Sequence, residues 1–248
     1  MLVAATGDAA PAPASEPART VHVVDRMPPR SLALATSRGS SQGGGGHGGG
    51  TGEDRPATKI RRSWAASLPA IEVKNRNTNA RAKIRLYADD GSIDRDALRT
   101  FVRVACSKSD DLEGARCEAA EALHPRLVQL AFRAAYHFRS DSLVIVSARR
   151  KGARGKHGTG DALDFQLAGV RAAALASYAR TYPRAGVGVY THPKTQYVHL
   201  DVRERSYHWI DASPPGRTWR EKRLRDPSQE KRDASYVPAM DLPEVATQ

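Results

Sequence analysis

The stretch DALDFQL, residues 161–167, alternates apolar and polar side chains and predicts a strand with one face in the core. Leu163, Phe165 and Leu167 share its apolar face, and Asp164 lies on the other. The stretch YVHLDV, residues 197–202, follows the same rule. Its valines and leucine point one way, and Tyr197, His199, Asp201 and then Arg203 point the other way. We expect the two polar faces to line one cleft while the apolar faces pack on helices.

The neighbouring segments predict the helices and strands of one core. Residues 71–87 read as a hairpin with an Asn-rich turn, and a helix is expected after an N-cap at Asp94. A second helix begins near Pro125, and residues 143–146 read as a strand buried on both faces. An Ala-rich helix ends before Pro183, and GVGVY then pairs with YVHLDV around the turn THPKTQ.

The chain of 248 residues divides by composition into three parts. Residues 1–67 are rich in Ala, Pro, Gly and Ser and include GGGGHGGG, so they predict a disordered arm or linker. Residues 68–210 carry the periodic segments and predict the ordered domain. Residues 211–248 mix charges of both signs and predict a basic, flexible tail.

No run of about 20 apolar residues occurs, so a transmembrane segment is not expected. The first residues lack the basic start of an export signal. An arm of Ala and Pro is common downstream of a cleaved signal, so export from a start upstream of Met1 is a hypothesis.

The net charge of +12 leaves three interpretations open. Binding to nucleic-acid phosphates, attraction to an anionic polymer such as a cell wall, and solvated arginine-rich ends are all compatible with it. No aromatic-basic motif of an RNA-binding sheet and no recognition helix occurs in the sequence, so no specific nucleic-acid partner is expected.

The chain has two cysteines, Cys106 and Cys117, which do not form a CxxC pair. In an oxidising compartment they could close a small loop, worth about 2–4 kcal/mol. The alternative is a pair of half-buried thiols in adjacent helices.

The glycine-rich stretch KHGTGDALDF, residues 156–165, adds His157 seven residues before Asp164. A loop of small residues can fold back over the strand that follows it. His157, Asp164 and His199 would then suit tetrahedral zinc with one open position. The alternative is structural: a surface histidine, a carboxylate that caps a turn and a histidine at a sheet edge.

Five short motifs, taken together, resemble the zinc D-alanyl-D-alanine peptidases, and among these the murein endopeptidase K-like branch. Order and spacing agree over about residues 71–210. The motifs are SARR (147–150), HGTGDALD (157–164), GVGVY (186–190), VHLD (198–201) and the later pair Arg205 and Trp209.

The resemblance implies an α+β fold with a central antiparallel sheet flanked by helices, of the hedgehog or D-Ala-D-Ala-peptidase type. It implies one zinc ion held by His157, Asp164 and His199. It also implies peptidoglycan as the partner and, as the reaction, hydrolysis of its stem or cross-link peptide bonds. Arg150 matches the family arginine that neutralises oxyanion charge, although Arg149 is adjacent and could compete.

One departure concerns the general base. Many relatives place a Glu three residues before the last zinc histidine or a His two before it, where this chain has Gln196 and Tyr197. Asp201 is the best replacement, and its alternative role is to orient an imidazole. His192, His208 and Asp161 are weaker candidates.

The leading prediction is therefore a zinc-dependent peptidase of the cell envelope or periplasm, either a murein endopeptidase or a carboxypeptidase. The alternative is a non-catalytic, zinc-stabilised module that binds peptidoglycan, an idea motivated by the missing Glu or His base. The sequence leaves the oligomeric state open.

Overall fold

The computed structural model describes residues 64–106, 122–150, 152–217, 219 and 221–247. Eight strands of these residues form one sheet in the order β2-β1-β3-β4-β6-β5-β7-β8. The strands are β1 (Ile71–Asn75), β2 (Arg81–Ile84), β3 (Ser142–Ser147), β4 (Ala162–Leu167), β5 (Ala185–Tyr190), β6 (Val198–Val202), β7 (Tyr207–Asp211) and β8 (Lys222–Leu224).

The centre of the sheet is antiparallel, as expected. Strands β3, β4, β6 and β5 all pair antiparallel with their neighbours in that order. Outside this centre, β1 pairs parallel with β3 and β5 pairs parallel with β7. Parallel neighbours need a crossover connection, and here β2 and two helices lie between β1 and β3 in the chain. The α+β prediction is confirmed, with a mixed sheet.

The helices begin where the capping residues predict. Helix α1 (Arg95–Ala105) follows Asp94, whose side chain accepts hydrogen bonds from the backbone N–H groups of Asp96 and Ala97. Helix α2 (Pro125–His137) has its proline in the first turn. The others are α3 (Lys156–Thr159), α4 (Ala172–Ala179) and α5 (Gln229–Ala234).

One face of the sheet packs on α1, α2 and α4 and forms the core. Leu163 and Phe165 of β4 and Leu200 of β6 are fully buried there. Strand β3 differs from its prediction, because Leu143 and Ile145 are buried but the alternating Val144 and Val146 are only partly buried. The second face of β3 is therefore not core. The opposite face of the sheet centre carries the polar residues.

Residues 221–247 differ from the predicted flexible tail, because they form β8, α5 and two 3-10 helices, Pro238–Asp241 and Glu244–Thr247. Asp233 of α5 is buried and accepts hydrogen bonds from the backbone N–H groups of Arg184 (2.6 Å) and Ser206 (2.7 Å). Asp241 is buried and accepts from Arg126 Nε at 2.7 Å. Composition gave no sign of these contacts with distant residues.

The start of the ordered part also differs from the prediction. Trp64–Ser67, placed in the arm, form a 3-10 helix whose Trp64 ring meets Tyr87 edge-on with centroids 4.9 Å apart. Residues 1–63, which hold the rest of the predicted arm, lie outside the described residues. Cys106 is disulfide-bonded, and Cys117 lies outside the described residues. Among the described helices, none has the length and apolarity needed to cross a membrane.

Candidate metal centre

Strand register places the predicted polar residues in one row across the sheet. Asp164 of β4 pairs with His199 of β6, and His199 pairs on its other side with Gly188 of β5. Gly188 pairs in turn with Trp209 of β7. Since side chains that pair directly across strands share a face, Asp164, His199 and Trp209 all project from the same side.

His157 reaches this row from the short helix α3, not from the mobile loop that the sequence predicts. The carbonyl oxygen of Ala148 lies 2.6 Å from His157 Nδ1, and the Arg150 N–H donates to the His157 carbonyl at 2.9 Å. Gly160 ends the turn in the left-handed conformation with φ 83°. The segment after β3 therefore holds His157 both by its ring and by its backbone carbonyl.

The structure brings the three predicted ligands together. The Nδ1 atom of His199 lies 2.8 Å from Asp164 Oδ1 and 3.3 Å from His157 Nε2. His157 Nε2 lies 3.4 Å from Asp164 Oδ2. One ligand atom from each residue falls within 4.8 Å of the others, and all three residues are buried. A single cation could be shared by all three side chains.

Hydrogen bonds on the far side of each imidazole fit this cluster to a metal. His157 Nδ1 faces a carbonyl oxygen and donates to it, so Nε2 is the nitrogen that faces the cluster. His199 Nε2 lies 3.1 Å from Asp201 Oδ2 and donates to it, so Nδ1 is the nitrogen that a metal would take by displacing its proton. Two imidazole nitrogens and one carboxylate are ligands that zinc takes in catalytic sites.

Asp201 is itself held in place. It is fully buried, and Arg203 Nε donates to its Oδ1 at 2.6 Å while Arg203 Nη2 pairs with its Oδ2. A Cβ on Gly186 would overlap the Asp201 carboxylate, so the neighbouring strand needs glycine at this position. Arg203 thus orients Asp201, a role that the sequence gave no reason to assign to it. Arg205, which was matched to the arginine that follows the VHLD motif, is exposed.

The charges of the cluster are strongly coupled. Burial alone would raise the pKa of Asp164, but hydrogen bonds from His157 and His199 outweigh it and lower the pKa to about 2. Burial would lower the pKa of His199, but Asp164 and Asp201 raise it to about 9. The pKa of Asp201 is lowered despite its burial, because His199 and Arg203 donate to it. Asp164 and Asp201 are therefore carboxylates at neutral pH.

Aromatic side chains flank the cluster. The Trp209 ring lies over Gly188, where a Cβ would overlap it, and its centroid is 5.0 Å from that of His199. Tyr190 and Tyr197 stack with centroids 4.2 Å apart. Burial, and next the charge of Asp164, raise the pKa of Tyr197 to about 12, so this phenol is neutral. These rings form a wall beside the cluster on the polar face.

The other predicted candidates stand apart from the cluster. Arg149 and Arg150 are exposed just after β3, and the Arg150 charge acts on Tyr197 at the edge of the site. Asp161 pairs with Lys156 at 3.2 Å. His192 Nδ1 accepts from the Lys194 N–H at 3.2 Å within the β5–β6 turn. These contacts give Asp161 and His192 local structural roles.

His208 is fully buried, and among the described residues neither of its ring nitrogens has a hydrogen-bond partner. It pairs with Val187 of β5 and Leu224 of β8, one residue out of step with Trp209. Its side chain therefore points away from the cluster, to the opposite face of the sheet.

Residues 64–209, which include β1 to β6, the first three residues of β7 and the whole cluster, match a family model of peptidoglycan peptidases. The match covers more than half of the chain, so the chain belongs to this class of hydrolases. The family is described as Peptidase_M15_2, Peptidoglycan L,D-endopeptidase MepK, and the predicted family resemblance is confirmed. No curated protein and no solved structure matches the chain.

Proposed function

We propose that the protein is a zinc-dependent peptidase that hydrolyses stem or cross-link peptide bonds of peptidoglycan in the cell envelope or periplasm. The observation that carries the proposal is the buried group of His157, Asp164 and His199, in which an acceptor behind each imidazole leaves the other ring nitrogen facing the position that a metal would take. The group lies inside the segment that matches the peptidase family.

His157 Nε2, His199 Nδ1 and an oxygen of Asp164 would hold the metal. Zinc bound by this neutral pair of imidazoles and one carboxylate would polarise a scissile carbonyl and acidify water. Asp164 supports binding because its carboxylate is ionised far below neutral pH. The wall formed by Trp209 and Tyr197 would exclude water from one side of a bound peptide.

Asp201 acts in this proposal as a positioning residue and not as the base. Its carboxylate lies behind His199, on the nitrogen that faces away from Asp164, and Arg203 engages both of its oxygens. It is fully buried, so water at the metal side of His199 cannot reach it. Asp201 would instead fix the His199 tautomer and raise the basicity of this ligand.

Arg150 is proposed to neutralise the negative charge that develops on the scissile carbonyl oxygen. It is exposed, and its charge lowers the pKa of the Tyr197 phenol, which supports a guanidinium on the Tyr197 side of the cluster. A cationic donor aimed at developing charge contributes several kcal/mol in sites of this kind. Its backbone N–H also donates to the His157 carbonyl, which links the Arg150 backbone to the ligand segment.

The test is digestion of purified sacculi by the zinc-loaded full chain, with the released fragments identified by mass spectrometry. We expect cross-link or stem-peptide fragments from the wild type. His157→Ala should lose both zinc and hydrolysis, and His192→Ala, in the β5–β6 turn, is the matched control that keeps both. Full zinc occupancy with full activity in His157→Ala would refute the ligand assignment.

The second candidate function is a non-catalytic module that binds peptidoglycan. The positions where relatives place a base hold Gln196 and Tyr197, and this observation favours it. In the same digestion, a binding module would co-sediment with sacculi and release no fragments.

A further inference from the structure

Arg223 of β8 lies in the same row across the sheet as the metal cluster. It pairs directly with Trp209 of β7. Trp209 pairs with Gly188 of β5, and Gly188 pairs with His199 of β6. Since residues that pair directly across strands share a face, the Arg223 side chain projects from the polar face of the sheet. Strand β8 follows the family-matched residues 64–209, so Arg223 lies outside that match.

A series of ring contacts joins Arg223 to the cluster. The guanidinium carbon of Arg223 lies 5.3 Å from the centroid of the Tyr207 ring. The Tyr207 centroid is 5.7 Å from that of Trp209, and the Trp209 centroid is 5.0 Å from that of His199. A guanidinium that lies over an aromatic face is attracted by the ring and keeps its N–H groups available to a ligand. Tyr207 therefore orients Arg223 on the side of the sheet that holds the cluster.

The positive charge of Arg223 is not neutralised by a neighbour. Arg223 is exposed, and among the described residues it forms neither a hydrogen bond nor an ion pair, not even with the nearby Glu221. Arg203 also lies over the Tyr207 ring, but its guanidinium is engaged by Asp201. A planar guanidinium with free N–H groups matches a carboxylate, which it can bind through two parallel hydrogen bonds.

The strand order sets the distance between Arg223 and the metal ligands. Strands β5 and β7 lie between β6, which carries His199, and the edge strand β8. Neighbouring strands lie about 4.8 Å apart, so β8 lies roughly 14 Å from β6. An extended peptide spans about 3.3–3.6 Å per residue, so roughly four residues cover that distance. A substrate group that reaches Arg223 is therefore about four residues away from the bond at the metal.

We propose that Arg223 is a specificity-determining residue that binds a free carboxylate of the peptidoglycan peptide, about four residues from the scissile bond. This inference rests on the proposed function and names one feature of its substrate. Arg223 lies at the edge of the sheet and not at the reacting atoms, so it contributes to the binding of the peptide and not to the chemical step. Amidation of that carboxyl group removes the charge that Arg223 recognises.

The test uses zinc-loaded full chains and two probes, a cross-linked muropeptide with free carboxyl groups and the same muropeptide with these groups amidated. For the free form, we expect Arg223→Gln to raise KM by roughly 5–10-fold with kcat unchanged. For the amidated form, Arg223→Gln and the wild type should have the same KM. Arg223→Lys should recover part of the loss, because it keeps the charge but not the planar pair of donors.

Lys222→Gln is the matched control. Lys222 is also exposed and carries the same charge, but it pairs with Ile210, so its side chain projects from the opposite face of the same strand. We expect Lys222→Gln to keep the wild-type KM for both forms of the muropeptide.

Three outcomes overturn the inference. A wild-type KM in Arg223→Gln would show that no carboxylate binds there, and an equal rise in KM for the amidated form would show that the contact does not involve a carboxylate. An equal rise in Lys222→Gln would show a general attraction of positive charge.

Failure of the proposed function is distinguishable, because the zinc-loaded wild type would then release no fragments from either probe. Calorimetric titration of the same two muropeptides tests Arg223 independently of hydrolysis. We expect Arg223→Gln to weaken the affinity for the free form by the same factor as KM and to leave the affinity for the amidated form unchanged. Equal affinities of Arg223→Gln and the wild type for the free form would overturn the inference.

Discussion

His208 should make folding stability fall with acid in a defined pH window. Its imidazole is fully buried in β7, neither nitrogen has a hydrogen-bond partner among the described residues, and Arg232 and Arg180 lie near. Burial, and next the charges of these arginines, lower its pKa from 6.5 to about 4. The unfolded chain takes up a proton between these values and the folded chain does not, so stability is lost as the pH falls from about 6.5 to about 4.

The magnitude follows from the size of the pKa change. A change of one pKa unit corresponds to about 1.4 kcal/mol, so His208 accounts for a loss of up to about 3 kcal/mol across the window. The cluster carboxylates contribute little there, because the pKa values of Asp164 and Asp201 are lowered from 3.8 and their contribution is lost mainly as the pH falls below that value. His199 does not contribute either, since its raised pKa affects stability only above about pH 6.5.

The assay is urea unfolding of the metal-free chain at several pH values from 7 to 4. His208→Leu removes the titrating group and should flatten the curve of unfolding free energy against pH by about 3 kcal/mol relative to the wild type. His192→Gln, in the exposed β5–β6 turn, should keep the wild-type slope. Parallel curves for the wild type and His208→Leu would refute the reasoning.

Three further predictions concern residues that support the site and the sheet. Asp201→Asn replaces the charged acceptor behind His199 with a neutral amide, so zinc affinity measured by competition with a chelator should fall about 10–100-fold; an unchanged affinity would contradict the positioning role. Gly188→Ala places a Cβ against the Trp209 ring and should lower the unfolding free energy by about 1–3 kcal/mol in urea titration, whereas a neutral result would show that the ring shifts freely. Asp233→Ala leaves two backbone N–H groups without an acceptor and should lower the melting temperature, at a cost of about 2–4 kcal/mol; an unchanged melting temperature would mean that water replaces the carboxylate.

The candidate ligands could be predicted because strand periodicity is local. Alternation alone places Asp164 and His199 on the polar faces of their strands, and the structure pairs these two residues directly. The glycines of GVGVY also follow from this arrangement, since Gly186 and Gly188 leave room for Asp201 and Trp209. The sequence showed the glycines but not what fills the space beside them.

Among the described residues, 221–247 differ most from the predicted structure. Their mixed charges have no helical or strand period, and the prediction of a flexible tail rested on that absence. Single buried contacts over long sequence distances, such as Asp233 with Ser206 and Asp241 with Arg126, order the described part instead. Such contacts leave no periodic signal, because each one depends on where a distant segment folds.

The sequence by itself placed Asp164 and His199 on the polar faces of their strands, because side-chain direction along a strand is fixed by the backbone period of two, and its family motifs predicted the α+β class and His157. Only the tertiary structure decided which nitrogen of each imidazole faces the cluster and that Arg203 holds Asp201. These features depend on strand order and register, which are set by packing of the whole sheet and not by any one segment.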